Sequence, residues 1–117
     1  MLNTDFRGHV ALVSGAGSES GIGMAIARRL GASGAKLIVT ASSNRIADRV
    51  KELRLEGFEV EGRPIDLTDE SQVREFSLWA ESVWGRVDIL VNNAGMSMQG
   101  SPEVFSELAT MELHEWN

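Results

Sequence analysis

A glycine-rich segment between a short apolar run and a helical pattern is the feature that most constrains the fold of this chain. The run Val10–Val13 leads into Ser14-Gly15-Ala16-Gly17-Ser18-Glu19-Ser20-Gly21-Ile22-Gly23. A backbone that turns sharply and passes close to another group needs residues without a Cβ. The free N–H groups where a helix begins attract an anion such as a phosphate. The segment therefore predicts a strand–turn–helix unit that binds phosphate.

Short apolar runs recur along the chain and alternate with helical patterns. Three of the four runs are continuous enough for strands that are covered on both faces. The third alternates apolar and acidic residues, which is typical of an edge strand. The four predicted strands are His9–Ser14, Lys36–Thr40, Phe58–Arg63 and Asp88–Asn92.

Three amphipathic helices are predicted between these strands. The first carries Ile22, Ile26 and Leu30 on one face and is stopped by Gly31 and Gly34. The second begins at about Asn44 and ends at Gly57, and the third spans Asp69 to Trp84 and ends at Gly85. Their predicted buried residues are Ile46, Val50, Leu53, Val73, Phe76, Ala80 and Val83.

The resulting order βαβαβαβ predicts a Rossmann-type, doubly wound parallel sheet with strand order 3-2-1-4. A chain of 117 residues has room for one such domain, 1–117. Residues 95–109 have the composition of a surface loop, and Thr110 is predicted to cap a further helix.

Charge and composition exclude several classes of function. The net charge is −6 and the basic residues are scattered, so neither a nucleic-acid groove nor an anionic membrane surface is expected as a partner. There is no cysteine, which excludes disulfides and thiolate metal sites, and no metal site is predicted. No run approaches the roughly 20 apolar residues of a membrane helix. These observations predict a soluble, cytoplasmic protein.

The segment that ends the fourth strand is the most specific motif. Two adjacent Asn side chains after an apolar strand need hydrogen-bond partners if they are buried. Asp88-Ile89-Leu90-Val91-Asn92-Asn93-Ala94-Gly95 resembles the Asn-Asn-Ala-Gly signature of the short-chain dehydrogenase/reductase family. Ser14-Gly15 and Gly21-Ile22-Gly23 are similar to the two ends of the Thr-Gly-x-x-x-Gly-Ile-Gly turn of that family.

The glycine turn departs from the family spacing. Five residues separate Gly15 from Gly21 where the commoner turn has three, so the turn resembles one with a two-residue insertion. Gly17–Gly23 alone also satisfies Gly-x-x-x-Gly-Ile-Gly. Which of residues 16–20 face the phosphates stays open from the sequence.

The resemblance implies a nicotinamide dinucleotide as cofactor and indicates which residues bind it. Asp66 and Leu67, in a segment similar to the Asp-Leu/Val-Thr of the family, would contact the adenine. Asn93, Ala94 and Gly95 would line the ribose and the nicotinamide. The complete predicted cofactor site is Gly15, Ser18, Gly21, Ile22, Gly23, Ser42, Arg45, Asp66, Leu67, Asn93, Ala94 and Gly95.

The end of the second strand distinguishes NAD from NADP. An acid at this place binds the ribose 2′-hydroxyl and repels a 2′-phosphate. Here the sequence is Thr40-Ala41-Ser42-Ser43-Asn44-Arg45, without an acid, and it is similar to 3-oxoacyl-carrier-protein reductases that use NADPH. Arg45 could bind a 2′-phosphate or be an ordinary solvated helix residue. The sequence favours NADP(H) and leaves NAD(H) possible.

The resemblance implies hydride transfer to a carbonyl or from an alcohol, but it places no catalytic residue in this sequence. The Ser and the Tyr-x-x-x-Lys of the family would lie beyond Asn117, and the sequence contains no tyrosine. The sheet would thus be truncated, with strand four at an uncovered edge that pairs with the missing C-terminal half or with another copy.

Two other classes of function stay open. One is a non-catalytic dinucleotide-binding or regulatory fragment. The other is a different Rossmann-like domain, such as an S-adenosylmethionine methyltransferase, which predicts an acid after strand two and gives no reason for Asn-Asn-Ala-Gly.

Overall fold

A computed structural model describes residues 5–18 and 21–93 of the chain. Four parallel strands form one sheet in the order β3-β2-β1-β4, which confirms the predicted order. The predicted loop at 95–109 and the helix from Thr110 lie outside the described residues. The elements are β1 Val10–Val13, α1 Ile22–Ala32, β2 Lys36–Ala41, α2 Ile46–Leu55, β3 Val60–Pro64, α3 Glu70–Trp84 and β4 Ile89–Val91.

Alternate residues of the two central strands supply two separate cores, one on each face of the sheet. Ala11, Val13, Leu37 and Val39 pack with α1 and α2, whereas Val10, Leu12 and Ile38 pack with α3. This arrangement is the doubly wound α/β fold that the continuous apolar runs predict. The helix residues in the two cores include Met24, Ala27, Ile46, Val50, Leu53, Val73, Phe76 and Ala80.

The predicted apolar face of α1 meets the sheet in part, because Ile26 and Leu30 pack against the core and Ile22 does not. Ile22 is 69% exposed, and the fully buried positions are Gly23, Met24 and Ala27. Gly23 packs against the Gly15 carbonyl at the start of the helix, and the spacing of Ile22, Ile26 and Leu30 by four does not predict this close contact. Gly31 does not stop the helix either. It lies inside α1, where an added Cβ would come within 2.7 Å of the Phe58 ring.

The third helix begins and ends where its terminal residues predict. The Asp69 carboxylate accepts hydrogen bonds from the backbone N–H groups of Ser71 and Gln72, which satisfies donors that have no partner within the helix. At the other end Gly85 has φ +82°, the left-handed conformation that glycine adopts without steric cost. Among the described residues, no helix is long and apolar enough to span a membrane.

Asp88 joins β4 to β1 at the amino end of the sheet. Its Oδ2 accepts a hydrogen bond of 2.8 Å from the backbone N–H of Val10, and its own N–H donates to the Val10 carbonyl at 2.8 Å. Partial burial raises the pKa of Asp88. Hydrogen bonds from Arg86 and Val10, and the charges of Arg86 and His9, outweigh burial and hold the pKa below its usual value.

Candidate functional site

Four segments that contain predicted site residues meet at the carboxyl edge of the sheet. The glycine turn follows β1, residues 42–45 follow β2, residues 65–68 follow β3, and Asn92 and Asn93 follow β4. Ligands of doubly wound sheets bind outside the carboxyl ends of the strands, where the strand order reverses. In this sheet the reversal lies at β1, between β2 and β4.

Gly15 and Gly23 form the tightest contact of the glycine turn. Gly15 has φ +72°, and a Cβ placed on Gly23 would lie only 2.4 Å from the Gly15 carbonyl oxygen. The N–H of Ala16 donates to the Thr40 carbonyl at 3.0 Å, which carries the turn across to β2. Gly15 is therefore the glycine that opens the turn, as the two-residue insertion predicts.

The middle of the turn approaches β2 and then enters α1. A Cβ on Gly17 would lie 3.0 Å from the Cβ of Ala41, and the N–H of Gly21 donates to the Ser18 carbonyl at 3.2 Å. Because the N-cap residue Gly21 has no side chain, it cannot cap the first N–H groups of α1. Residues 19 and 20 lie outside the described part of the chain.

The Ser14 hydroxyl joins the end of β1 to the end of β4. Ser14 is fully buried, and its Oγ accepts a hydrogen bond of 3.0 Å from the N–H of Asn93. The same Oγ lies 3.2 Å from Oδ1 of Asn92 and 3.3 Å from the Val91 carbonyl, and either oxygen can accept its proton. Ser14 therefore supplies a partner for the Asn pair that the sequence alone did not identify.

The second Asn also contacts the glycine turn. Nδ2 of Asn93 donates to the Gly15 carbonyl at 3.2 Å, the same oxygen that faces Gly23. Asn93 thus links the two motifs that are 78 residues apart. The next two predicted residues, Ala94 and Gly95, lie outside the described residues.

The residues after β2 lie at the surface. Ser42 and Arg45 are both exposed, and Arg45 occupies the N-cap position of α2. The Arg45 Nε lies 3.5 Å from the Ser43 hydroxyl, a long and weak contact. The Arg45 guanidinium is therefore accessible to a ligand.

One turn further along α2, Arg49 makes a contact that sequence reasoning missed. Its Nη1 donates to the Gly17 carbonyl at 3.2 Å, and its side chain is only 12% exposed. The available signal was the spacing of four from Arg45, which places both residues on neighbouring turns of one helix.

Asp66 and Leu67 lie in the connection that follows β3. The Asp66 Oδ1 accepts hydrogen bonds from the Thr68 hydroxyl at 2.6 Å and from the Thr68 N–H at 2.9 Å, and both lower the pKa of Asp66. Asp66 is exposed, so its carboxylate keeps room for a further donor, whereas Leu67 is half-buried against the α3 core. Asp66 does not cap α3, because Asp69 does.

The structure links Gly15, Gly23 and Asn93 directly. Ser18 and Gly21 lie in the same turn, and Ile22 is exposed at the start of α1. Ser42, Arg45, Asp66 and Leu67 follow the neighbouring strands on the other side of the turn. Within residues 5–18 and 21–93, no group of three or more His, Cys, Asp or Glu side chains could hold a metal ion.

These features define a Rossmann-type α/β domain, and comparison with known proteins identifies its family. The short chain dehydrogenase family model matches residues 9–117. The chain belongs to the short-chain dehydrogenase/reductase family.

Two curated relatives are similar over most of this chain. A Streptomyces violaceoruber protein named as a granaticin polyketide synthase ketoacyl reductase is 52% identical over 101 residues, which cover 85% of this chain and 36% of the relative. The 3-oxoacyl-acyl-carrier-protein reductase FabG of Escherichia coli is 37% identical over 113 residues, 97% of this chain and 42% of the relative. The chain thus spans about two fifths of the length of these relatives.

Solved structures of similar fold contain both kinds of nicotinamide cofactor. A variant actinorhodin polyketide ketoreductase with NADPH has a TM-score of 0.71 and 32% identity, covering 92% of this chain and 45% of that one. A short chain dehydrogenase/reductase from Burkholderia phymatum in complex with NAD has a TM-score of 0.67 and 34% identity. The match covers 77% of this chain and 31% of that one.

Proposed function

We propose that this chain is the NADP(H)-binding part of an oxidoreductase that transfers hydride between the cofactor and a carbonyl or alcohol of the 3-oxoacyl class. The observation that carries the proposal is the arrangement of Gly15, Gly23 and Asn93 around one carbonyl oxygen. Membership of the family supports the cofactor class, and the names of the ketoacyl reductase relatives support the substrate class.

The glycine turn is suited to the pyrophosphate. A Cβ on Gly23 would lie 2.4 Å from the Gly15 carbonyl oxygen, so glycine at this position lets the start of α1 lie close against the turn. The start of α1 offers N–H groups and the positive end of the helix dipole, which stabilise an anion. Gly21, Ile22 and Ser18 border that position, so the turn can bind phosphate although the chain carries a net charge of −6.

The other predicted residues would bind the two ends of the cofactor. Asp66 would accept a hydrogen bond from the adenine amino group, and Leu67 would contact the ring. On the far side of β1, Asn93, followed in sequence by Ala94 and Gly95, would position the nicotinamide ribose. The cofactor supplies the hydride, and the residues of this chain bind and orient it.

Arg45 and Ser42 would select the 2′-phosphate. A guanidinium forms charge-assisted hydrogen bonds to phosphate, and the exposed Arg45 has only a weak contact to Ser43 to give up. No acid lies between Thr40 and Arg45 to repel the phosphate. NADP(H) is therefore the preferred cofactor.

A binding comparison tests the cofactor and its preference. We expect the wild-type chain to bind NADPH more tightly than NADH. Arg45→Ala should lower the affinity for NADPH about tenfold and leave the affinity for NADH unchanged. Lys51→Ala, an exposed cation on the same helix, is the control and should change neither affinity. If Arg45→Ala lowered the affinity for NADPH and NADH equally, the preference for NADPH would be overturned. If the wild-type chain bound neither cofactor, the dinucleotide site itself would be wrong.

A second candidate function is a non-catalytic dinucleotide-binding protein, because the residues assigned to the proposed site bind the cofactor and none of them is assigned a proton-transfer role. A ketone-reduction assay on a sample whose intact mass has been verified separates the two functions. We expect no turnover by the 117-residue chain and turnover by a longer protein that contains it. If the longer protein binds NADPH without reducing a ketone, the second candidate is correct. Turnover by the 117 residues alone would contradict our placement of the proton donor outside this sequence.

A further inference from the structure

Arg49 connects α2 to the middle of the glycine turn. Its Nη1 donates a hydrogen bond of 3.2 Å to the carbonyl of Gly17, which is 32 residues away in the sequence. Gly17 is itself buried, with the Cβ of Ala41 3.0 Å from the place where its own Cβ would be. The turn is therefore held from two sides at this residue, by Ala41 of β2 and by Arg49 of α2.

The charge of Arg49 is balanced within its own helix. Its Nη2 lies 2.5 Å from Oε2 of Glu52, three residues further along α2. An arginine whose side chain is 12% exposed requires such compensation, because removing a charge from water is unfavourable unless the charge is paired. The guanidinium thus bonds at once to a carboxylate and to a backbone carbonyl, and its planar fork is suited to that task.

The surroundings of Arg45 are different, although it lies only one turn earlier. Arg45 is exposed, and its Nε lies 3.5 Å from the Ser43 hydroxyl. An exposed guanidinium with only a long contact is accessible to a ligand phosphate. A buried guanidinium that already holds a carboxylate and a carbonyl is suited to fixing a loop.

We propose that Arg49 is a positioning residue of the cofactor site, which holds the Gly17 carbonyl and thereby sets the conformation in which the glycine turn receives the pyrophosphate. This inference rests on the proposed function. It assigns the two arginines of α2 to different parts of the cofactor: Arg45 to the 2′-phosphate and Arg49, through Gly17, to the pyrophosphate.

This division predicts that replacing Arg49 and replacing Arg45 weaken the binding of different ligands. A turn that has lost its fixed conformation binds every pyrophosphate-containing ligand less well, because ordering the loop then opposes binding. NADPH and NADH should suffer equally when Arg49 is replaced. Adenosine 2′-monophosphate, which has no pyrophosphate, should not be affected.

The experiment is a calorimetric titration of the 117-residue chain and two variants, Arg49→Met and Arg45→Met, with NADPH, NADH and adenosine 2′-monophosphate. For Arg49→Met we expect a loss of about tenfold for both dinucleotides and no change for the monophosphate. For Arg45→Met we expect losses for NADPH and the monophosphate only. Circular dichroism establishes that each variant is folded, and Arg49→Lys, which keeps the charge but not the fork, replaces Arg49→Met if that variant does not fold.

Three results would overturn the inference. If Arg49→Met lowered the affinity for the monophosphate and left the affinity for NADH unchanged, Arg49 would be a direct ligand of the 2′-phosphate. Equal weakening of all three ligands would indicate a merely structural role. Unchanged affinity for all three would show that the bond to Gly17 does not matter for binding, and in that case the proposed function would still stand, because the wild-type chain would bind both dinucleotides. A wild-type chain that binds neither dinucleotide would instead refute the proposed function.

Discussion

The Ser14 hydroxyl accepts a hydrogen bond of 3.0 Å from the backbone N–H of Asn93, and this bond joins the ends of two neighbouring strands across 79 residues of sequence. Ser14 is fully buried, and Asn93 in turn donates its side-chain amide to the Gly15 carbonyl at 3.2 Å. The glycine turn and the Asn-Asn motif are therefore one hydrogen-bonded unit. The contact explains physically why both motifs are found in one site.

Replacing Ser14 by Ala should destabilise the fold at this junction. The change leaves the Asn93 N–H without its hydroxyl partner in a partly buried place, which costs about 1–3 kcal/mol. Urea denaturation measures the free energy of unfolding. Ser14→Thr keeps the hydroxyl and is the control. Equal stability of Ser14→Ala and the wild type would contradict the importance of this bond.

Gly23→Ala should be more disruptive than Gly21→Ala. The new Cβ at residue 23 would lie 2.4 Å from the Gly15 carbonyl oxygen, so α1 must move away from the turn, at a cost of about 1–3 kcal/mol or more. At residue 21 the nearest atom is the Ser18 Cβ at 3.2 Å, in an exposed residue that can shift. Thermal unfolding of both variants checks the order. A more stable Gly23→Ala than Gly21→Ala would refute the close packing.

Asp88 should contribute to the dependence of stability on pH. Its folded-state pKa lies below the usual Asp value of 3.8, so its contribution is complete above about pH 4 and is lost as the pH falls through the lower, folded-state pKa. Asp88→Asn should lower stability at pH 7 by about 1 kcal/mol and flatten the loss of stability in acid. Denaturation between pH 2 and pH 7 measures both effects.

Asp5→Asn is the matched control for Asp88. Asp5 pairs with Arg7, two residues away, and both side chains are well exposed, so the same contact can form in the unfolded chain. Asp88 has a comparable neighbour in Arg86, but it also accepts from Val10, which is 78 residues away. If Asp5→Asn and Asp88→Asn changed the stability and its pH dependence equally, the hydrogen bond from Val10 would contribute nothing to the stability.

The outer edge of β4 should pair with another strand. Ile89, Leu90 and Val91 are only half-buried, and among the described residues β4 pairs with β1 alone. An apolar strand with unpaired backbone groups is a template for association. Light scattering of the 117-residue chain should show oligomers, and Leu90→Lys should reduce them. A cooperatively folded monomer would contradict this expectation.

The sequence predicted the strand order and most of the core, because continuous apolar strands and glycine stops depend on local chemistry. The sequence did not predict features that depend on how closely two elements pack. Ile22 is exposed at the start of α1, where its neighbour Gly23 packs against the Gly15 carbonyl oxygen, and Gly31 lies inside the helix, where a Cβ would come within 2.7 Å of the Phe58 ring.

The candidate site shows the same distinction. Motif spacing predicted Gly15, Gly23 and Asn93 as site residues, and in the structure it is Gly15 that has a positive φ where the turn begins. Spacing could not find the contact between Arg49 and Gly17, or the hydroxyl of Ser14 between two strand ends, because each joins residues that are brought together only by folding.

The most direct test of the central claim is a map of amide chemical shifts as NADPH is added to the isotopically labelled chain. We expect saturable changes at Gly15–Gly23, at Ser42 and at Asn93, all at the carboxyl edge of the sheet. Amides at the amino edge, such as those of Val10 and Asp88, should not move. The absence of saturable changes, or changes grouped at the amino edge, would contradict the assignment of this edge as the dinucleotide site.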